Sequence, residues 1–412
     1  MWLKRSIALR TEAYLDGEIT KRVSSSLFLT NTEQSKDIAS FQRNEIEIGN
    51  LLGEGSFAEV FEVKSFHLST PSKNCNDDDS EIREYYQQHE VDDKGGSQYA
   101  IKSLKSRLID NQRKFHQAAT SLVLEARFLA HCDHPNIVKL RGLSALDNGS
   151  CFVDGSGGFF LILDTLDETL EERINRWEAE KISASMDEES KSVSSYELDF
   201  YTDKIRYGIQ IARALEYLHA HGIIYRDLKP ANIGFKGETV QLFDFGIVRE
   251  LPEGWEHEDE LFHMSQVGTR RYMAPEVFLG KPYNLKADVF SFAILLQQML
   301  SLEKPFSMYN AALYKLLVCE EGIRPSIYPE WPSEVQDLLH DGWAPRPIYR
   351  PNMKQVRMTL ENALCQCQGS GLSHPNHVYE LLRETGPSSS RSPSTKLSLT
   401  VSFRDRIHDD KD

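Results

Sequence analysis

The sequence has no apolar run approaching the ~20 residues that a membrane-spanning helix needs; its longest such stretches, Phe159 to Leu163 and Phe290 to Leu296, fall far short. The N-terminus lacks the unbroken apolar segment of an export signal, because Lys4 and Arg5 interrupt it at once. The expectation is a soluble protein placed in the cytoplasm, with the nucleus left open and no membrane partner. Basic residues are also in deficit: Lys plus Arg number 47 against 62 Asp plus Glu, a formal net charge of −15, which argues against a general nucleic-acid partner. Cysteines are few. Cys75, Cys132, Cys151, Cys319, Cys365 and Cys367 show no framework spacing and read as reduced thiols. The Cys365-Gln366-Cys367 pair has no second cysteine pair and is not read as a zinc site. There is no internal repeat.

What remains is an ordinary globular composition, 40% hydrophobic, 26% charged and 10% aromatic over 412 residues, enough for a large catalytic core with extensions or for two or three small domains. Residues 1–45 are rich in Ser, Thr and charge and read as an N-terminal extension. From Ile46 to Val63 the alternation of apolar residues and the glycine placement predict a hairpin. Residues 64–97, with Asp77-Asp78-Asp79 and Gly95-Gly96, read as an insertion at a solvent-facing edge before a strand at Tyr99 to Lys102. A helix is predicted over Ser121 to Leu129, then apolar strands at Ile137 to Leu140 and Phe159 to Leu163. Helix signals dominate afterwards. A second exposed insertion is expected at about 178–195, helices continue to residue 366, and 367–412 reads as a flexible tail.

Leu52-Gly53-Glu54-Gly55-Ser56-Phe57-Ala58-Glu59-Val60 has the form of a loop whose glycines let backbone N–H groups approach phosphates. Alone it reads more readily as an ordinary hairpin with two turn glycines. Its context changes that reading: Tyr99-Ala100-Ile101-Lys102 puts an ammonium on a strand, and Glu125 follows on a helix. Tyr225-Arg226-Asp227-Leu228-Lys229-Pro230-Ala231-Asn232, Asp244-Phe245-Gly246 and Ala274-Pro275-Glu276 come next, in that order.

This series resembles the protein kinase family, serine/threonine type, with a lean toward the tyrosine-kinase-like branch. The resemblance implies an α+β, two-lobed fold over residues 46–366, with a small β-rich N-lobe carrying one main helix (46–166 including the hinge) and a larger helical C-lobe (167–366). It implies ATP and Mg2+ as cofactors and protein substrates, with an upstream kinase or regulatory partner open. The family pattern makes Lys102 the grip on the α- and β-phosphates, held by Glu125. Asp227 becomes the base at the substrate hydroxyl, Lys229 steadies the γ-phosphate, and Asn232 and Asp244 are the magnesium ligands. Leu52, Gly53, Glu54, Gly55, Ser56, Phe57, Val60 and Ala100 would line the nucleotide site. Leu163 would be the gatekeeper, with Asp164 and Leu166 in the hinge. Thr269 would brace Asp227 and Lys229, Asp288 would anchor the catalytic loop, and Arg350 would pair with Glu276.

Three positions depart from the pattern: Ala58 for the third loop glycine, Tyr225 for the histidine before Arg226, and Gly234 where the adenine floor usually carries a larger apolar side chain. Gly234 predicts lost packing under the base. The alternative reading is a nucleotide-binding pseudokinase scaffold, favoured by Gly234 and the insertions and opposed by Lys102, Asp227, Asn232 and Asp244. Phosphorylation of a small molecule is a second rival, opposed by Thr269 and Ala274-Pro275-Glu276. For regulation, Arg226 would meet an activation-loop phosphate, Ser265 being the acceptor that Thr269's bracing role leaves. Alternatively a carboxylate among Glu253, Glu256, Glu258, Asp259 and Glu260 would stand in for that phosphate.

Overall fold

The computed structural model describes residues 38–68, 77–92, 95–145, 158–186, 193–252, 254–255, 257 and 259–369. These fall in the first of two compact units, residues 1–370; the second, 371–412, lies outside the described residues, as do residues 1–37.

The first lobe is a six-stranded sheet in the order β1-β5-β6-β4-β3-β2. Its strands are β1 (Ala39–Phe41), β2 (Ile46–Glu54), β3 (Ala58–Phe66), β4 (Tyr99–Leu104), β5 (Leu140–Ser144) and β6 (Phe160–Asp164), and its helices are α1 (Asp77–Gln88) and α2 (Gln112–His131). Two apolar clusters fill its two faces, as the alternation of strand side chains requires. One face joins the main core through Phe115, Leu122, Leu161 and Leu163; the other is a separate cluster built on Phe41, Phe66, Tyr99, Phe160 and Ile162. Asn111 caps α2 by accepting a hydrogen bond from the Lys114 N–H at 3.1 Å, satisfying a donor the helix leaves open.

The sheet begins before Ile46, inside the stretch read as an N-terminal extension. β1 pairs in parallel with β5, Ala39 opposite Gly142, and Gly142 leaves room for the Phe41 ring, whose Cε2 would lie 2.8 Å from a Cβ at that position. The 64–97 insertion is also more than an exposed edge. β3 continues through Phe66, and α1 lays Ile82 and Tyr86 on the second cluster. Arg83 on α1 meets the buried Glu45 carboxylate at 2.6 Å. The strand expected at Ile137 to Leu140 is displaced to Leu140–Ser144, with Ile137 bridging Leu242 instead.

The second lobe opens with β7 (Glu168–Thr169), α3 (Leu170–Met186) and α4 (Val193–Ala220). Helices thus enter the second expected insertion from both sides, and 187–192 lie outside the described residues. Then come β8 (Ile223–Ile224), β9 (Ile233–Lys236), β10 (Thr239–Leu242), β11 (Arg249–Glu250), α5 (Pro275–Phe278), α6 (Lys286–Ser301), α7 (Ala311–Leu313), α8 (Ser333–Gly342) and α9 (Met353–Gly369). Residues Lys286 to Leu300 of α6 are all buried, the mark of a helix central to its lobe. Arg350 makes a two-pronged ion pair with Glu276 at 2.5 and 2.9 Å and is itself 1% exposed.

Candidate active site

The cleft between the two lobes is built from short, tightly registered segments. Ala58 starts β3 opposite Leu104, Val60 lies opposite Lys102, and Ala100 lies opposite Leu163. Gly55 donates its N–H to the Ala58 carbonyl at 2.9 Å, which closes the glycine-rich tip. Ala58 therefore sits at a ladder position where a methyl group is accommodated. Within that tip Leu52 and Phe57 are exposed. The Glu54 carboxylate is held by the buried Lys105 ammonium and by Arg107 at 3.1 Å. This latch was not read from the sequence, since nothing in the motif points beyond Lys102.

Lys102 donates to both carboxylate oxygens of Glu125 at 2.7 Å and to Asp244 at 3.1 Å. Burial disfavours the ammonium, but the Asp244 and Glu125 carboxylates outweigh it, and the Lys102 pKa is raised. The same lysine holds the Asp244 carboxyl below its ordinary value. Asp244 has φ 63°, a left-handed conformation that costs a non-glycine residue roughly 1 kcal/mol or more. The Ser121 hydroxyl on α2 donates to the Gly246 carbonyl, tying the helix of Glu125 to the segment of Asp244. Ser121 too was missed; its position four residues before Glu125 puts both on one helical face, the one signal by which the sequence could have found it.

On the opposite wall the backbone runs from β8 through Tyr225 to Asn232. Asp288 on α6 accepts the N–H of Tyr225 at 2.7 Å and of Arg226 at 2.8 Å, with His219 beside it at 2.9 Å. These contacts fix Arg226 at φ 72°. The Tyr225 hydroxyl donates to the Phe243 carbonyl, and its ring meets Phe245 edge-on at 5.5 Å, so tyrosine fills the histidine position by packing plus one hydrogen bond. Asp227 is then surrounded: Thr269 Oγ1 donates to it at 2.7 Å, Lys229 Nζ at 2.7 Å and Asn232 Nδ2 at 3.0 Å. Lys229 also donates to Thr269 at 3.2 Å.

Asn232 directs its amide nitrogen to Asp227 and so presents its oxygen as the remaining donor atom. That oxygen and the Asp244 carboxylate are hard ligands and fit magnesium. In the hinge, the Asp164 carboxylate accepts two hydrogen bonds from Arg141 at 2.7 and 2.8 Å, while the N–H groups of Asp164, Thr165 and Asp167 donate to backbone carbonyls. Leu166 is half-buried and lies against Gly234.

Arg226 extends away from the cleft, donating to the Ile247 carbonyl at 2.6 Å and to Ser265 Oγ at 3.2 Å. Asp259 and Glu260 are exposed, and Glu253, Glu256 and Glu258 lie outside the described residues.

A small twisted sheet with one long helix, set over a helical lobe and carrying a lysine–glutamate pair across the cleft from an aspartate-centred loop, defines a two-lobed kinase. The protein kinase domain model matches residues 88–359. Among curated relatives, the serine/threonine-protein kinase STY17 of Arabidopsis thaliana is 35% identical over 37% of this chain and 26% of its own length. The serine/threonine-protein kinase mos of Patiria pectinifera is 29% identical over 65% of this chain and 68% of its own. The serine/threonine-protein kinase mos of Xenopus laevis is 34% identical over 40% of this chain and 48% of its own. The chain thus spans between about a quarter and two thirds of these relatives. It belongs to the protein kinase family.

Proposed function

We propose that this chain transfers the γ-phosphoryl group of Mg-ATP to serine or threonine hydroxyls of protein substrates. The observation that carries the reading is the cluster in which Thr269, Lys229 and Asn232 all donate to Asp227 across the cleft from Lys102, Glu125 and Asp244. Asp227 accepts or orients the proton of the attacking hydroxyl, and its three donors hold its carboxylate in one orientation. Lys102, kept charged by its carboxylates, neutralises phosphate oxygens, and Lys229 does the same at the transferring group. Asn232 and Asp244 would hold magnesium, which when bound would shield charge on the phosphates. The backbone of the Gly53 to Gly55 tip covers the nucleotide, and the chain's remaining task is to exclude water and keep these charges in place.

The relatives named above are serine/threonine kinases, and Lys229 with Thr269 supports the same acceptor class here. We further propose Ser265 as a regulatory phosphate acceptor. Arg226 is largely desolvated, which lowers its guanidinium pKa against partial support from Tyr283, and Ser265 lies within its reach.

The test is magnesium-dependent transfer of labelled γ-phosphate to generic proteins by wild type, Asp227→Asn and Asp244→Asn, followed by phosphoamino-acid analysis. The expected result is label on serine or threonine, reduced by about 10²-fold or more in both variants. Wild type that binds nucleotide yet transfers nothing, with or without Ser265→Asp, would favour the scaffold reading instead.

A further inference from the structure

Gly234 is a glycine for reasons of space. Its neighbours Ile233 and Phe235 are fully buried in the main core, so by strand alternation position 234 faces the other way, toward the hinge and cleft. Its backbone needs no glycine: it pairs in regular register with Thr169 of β7 and Gln241 of β10. A Cβ placed on it would lie 2.4 Å from Leu166 Cδ1 and 3.1 Å from both Leu166 Cβ and Cγ. The volume a side chain at 234 would take is already occupied by Leu166.

Leu166 is held there from both sides. Thr165 N–H donates to the Gln98 carbonyl at 2.9 Å, and Asp167 N–H donates to the Phe235 carbonyl at 2.7 Å. Gly237 N–H closes onto the Asp167 carboxylate at 2.7 Å. With the backbone fixed, an apolar group at 234 could be accommodated only by driving the Leu166 side chain out of its place.

We propose that Leu166 is the apolar floor of the base-binding site in this chain, a specificity-determining residue whose side chain replaces the one that β9 lacks. The inference rests on the nucleotide-binding reading above. On this reading Gly234 does not leave the base unsupported, because the support arises from the hinge itself. One segment then supplies both the backbone groups at the base edge and the surface under the base. Shortening Leu166 removes the floor entirely, as glycine beneath it offers nothing in its place.

The experiment measures the dissociation constant of a fluorescent ADP analogue, and its displacement by ATP, for the full chain and three variants, each checked for folding by its thermal midpoint. Leu166→Ala is expected to bind about tenfold more weakly, the effect of removing much of a buried leucine's contact area. Gly234→Leu is expected to weaken binding by a similar factor, because it forces Leu166 out of place. Combining them as Leu166→Ala with Gly234→Leu moves the side chain from hinge to strand and is expected to restore affinity to within about threefold of wild type, a coupling that a purely additive effect could not give. Unchanged binding in Leu166→Ala, or a double variant no better than Gly234→Leu, overturns the proposal while leaving the nucleotide site standing. Wild type that binds no nucleotide overturns both.

Discussion

Arg226 and Ser265 show what a single contact can leave unfinished. The guanidinium donates to three oxygens that carry no formal charge, the Ile247 carbonyl and the Ser265 and Tyr283 hydroxyls, and its desolvation outweighs the support it draws from Tyr283 and Asp288. A phosphate on Ser265 would bring about −1.5 to −2 charges to that point and convert a neutral contact into a charge-assisted one. The expected outcome is that Ser265→Ala lowers activity toward a generic substrate by about tenfold relative to enzyme phosphorylated at this position, whereas phosphatase treatment leaves Ser265→Ala unaffected. Equal activity of wild type before and after phosphatase would instead assign the balancing of Arg226 to a carboxylate of the same loop. Position 166 carries a different lesson. The motif residues were legible because phosphoryl transfer demands those side chains at those spacings, but the fit of Leu166 into the space above Gly234 is a matter of close approach between the hinge and β9, which no spacing rule encodes.

Among the elements, α1 departs furthest from its sequence-based expectation. Its residues are mostly polar, and Ile82 and Tyr86 are too sparse to announce a buried face, so periodicity gave no helix there. What settles it on the sheet is tertiary: two side chains on a pre-existing apolar cluster and the Arg83–Glu45 ion pair, whose side chains are 9% and 3% exposed. A buried pair stripped of one partner leaves an uncompensated charge, at a cost of about 3–5 kcal/mol. Arg83→Met is therefore expected to destabilise the first lobe by roughly that amount in urea denaturation, and Arg83→Met with Glu45→Gln to recover most of it. If the double variant is no more stable than the single one, packing rather than charge holds α1 in place. By contrast α2 and the hairpin of β2 and β3 were legible in outline, since their apolar spacing is regular, although α2 starts well ahead of the stretch where that regularity is evident.

For the molecule as a whole, one buried cation sets a slope in stability. Lys204 on α4 is 2% exposed, donates to the Leu300 carbonyl at 3.3 Å and lies 5.5 Å from the Trp177 ring. Burial, with Lys181 adding repulsion, lowers its pKa to about 7, while in the unfolded chain it stays near ~10.4. Between those values the unfolded state binds the extra proton, so this group makes stability rise with pH from about 7 to 10, and its cost is full and constant below that window. Lys204→Met is expected to raise the thermal midpoint at pH 6 and to lose that advantage progressively by pH 10. A difference between the two proteins that stays constant across this range would show that Lys204 does not titrate within it. The two-lobed architecture was legible from motif order, which fixes what must face the cleft. The lobe's outer layer was not, because β1 and α1 serve packing rather than chemistry and carry no signature of their own.

The parallel pairing of Ala39–Phe41 with Gly142–Ser144 joins segments about a hundred residues apart, and closing so long a loop is entropically slow. Because β6 lies between β5 and β4, the edge made by the earliest described strand has no template until Phe160–Asp164 has also been synthesised. A ribosome adding about 5–20 residues per second would thus hold Phe41 unpaired for several seconds or more. For that interval its ring would have only the earlier-made part of its cluster, Phe66, Tyr86 and Tyr99, to lean on, so the nascent first lobe would carry an open strand edge beside a half-built apolar face.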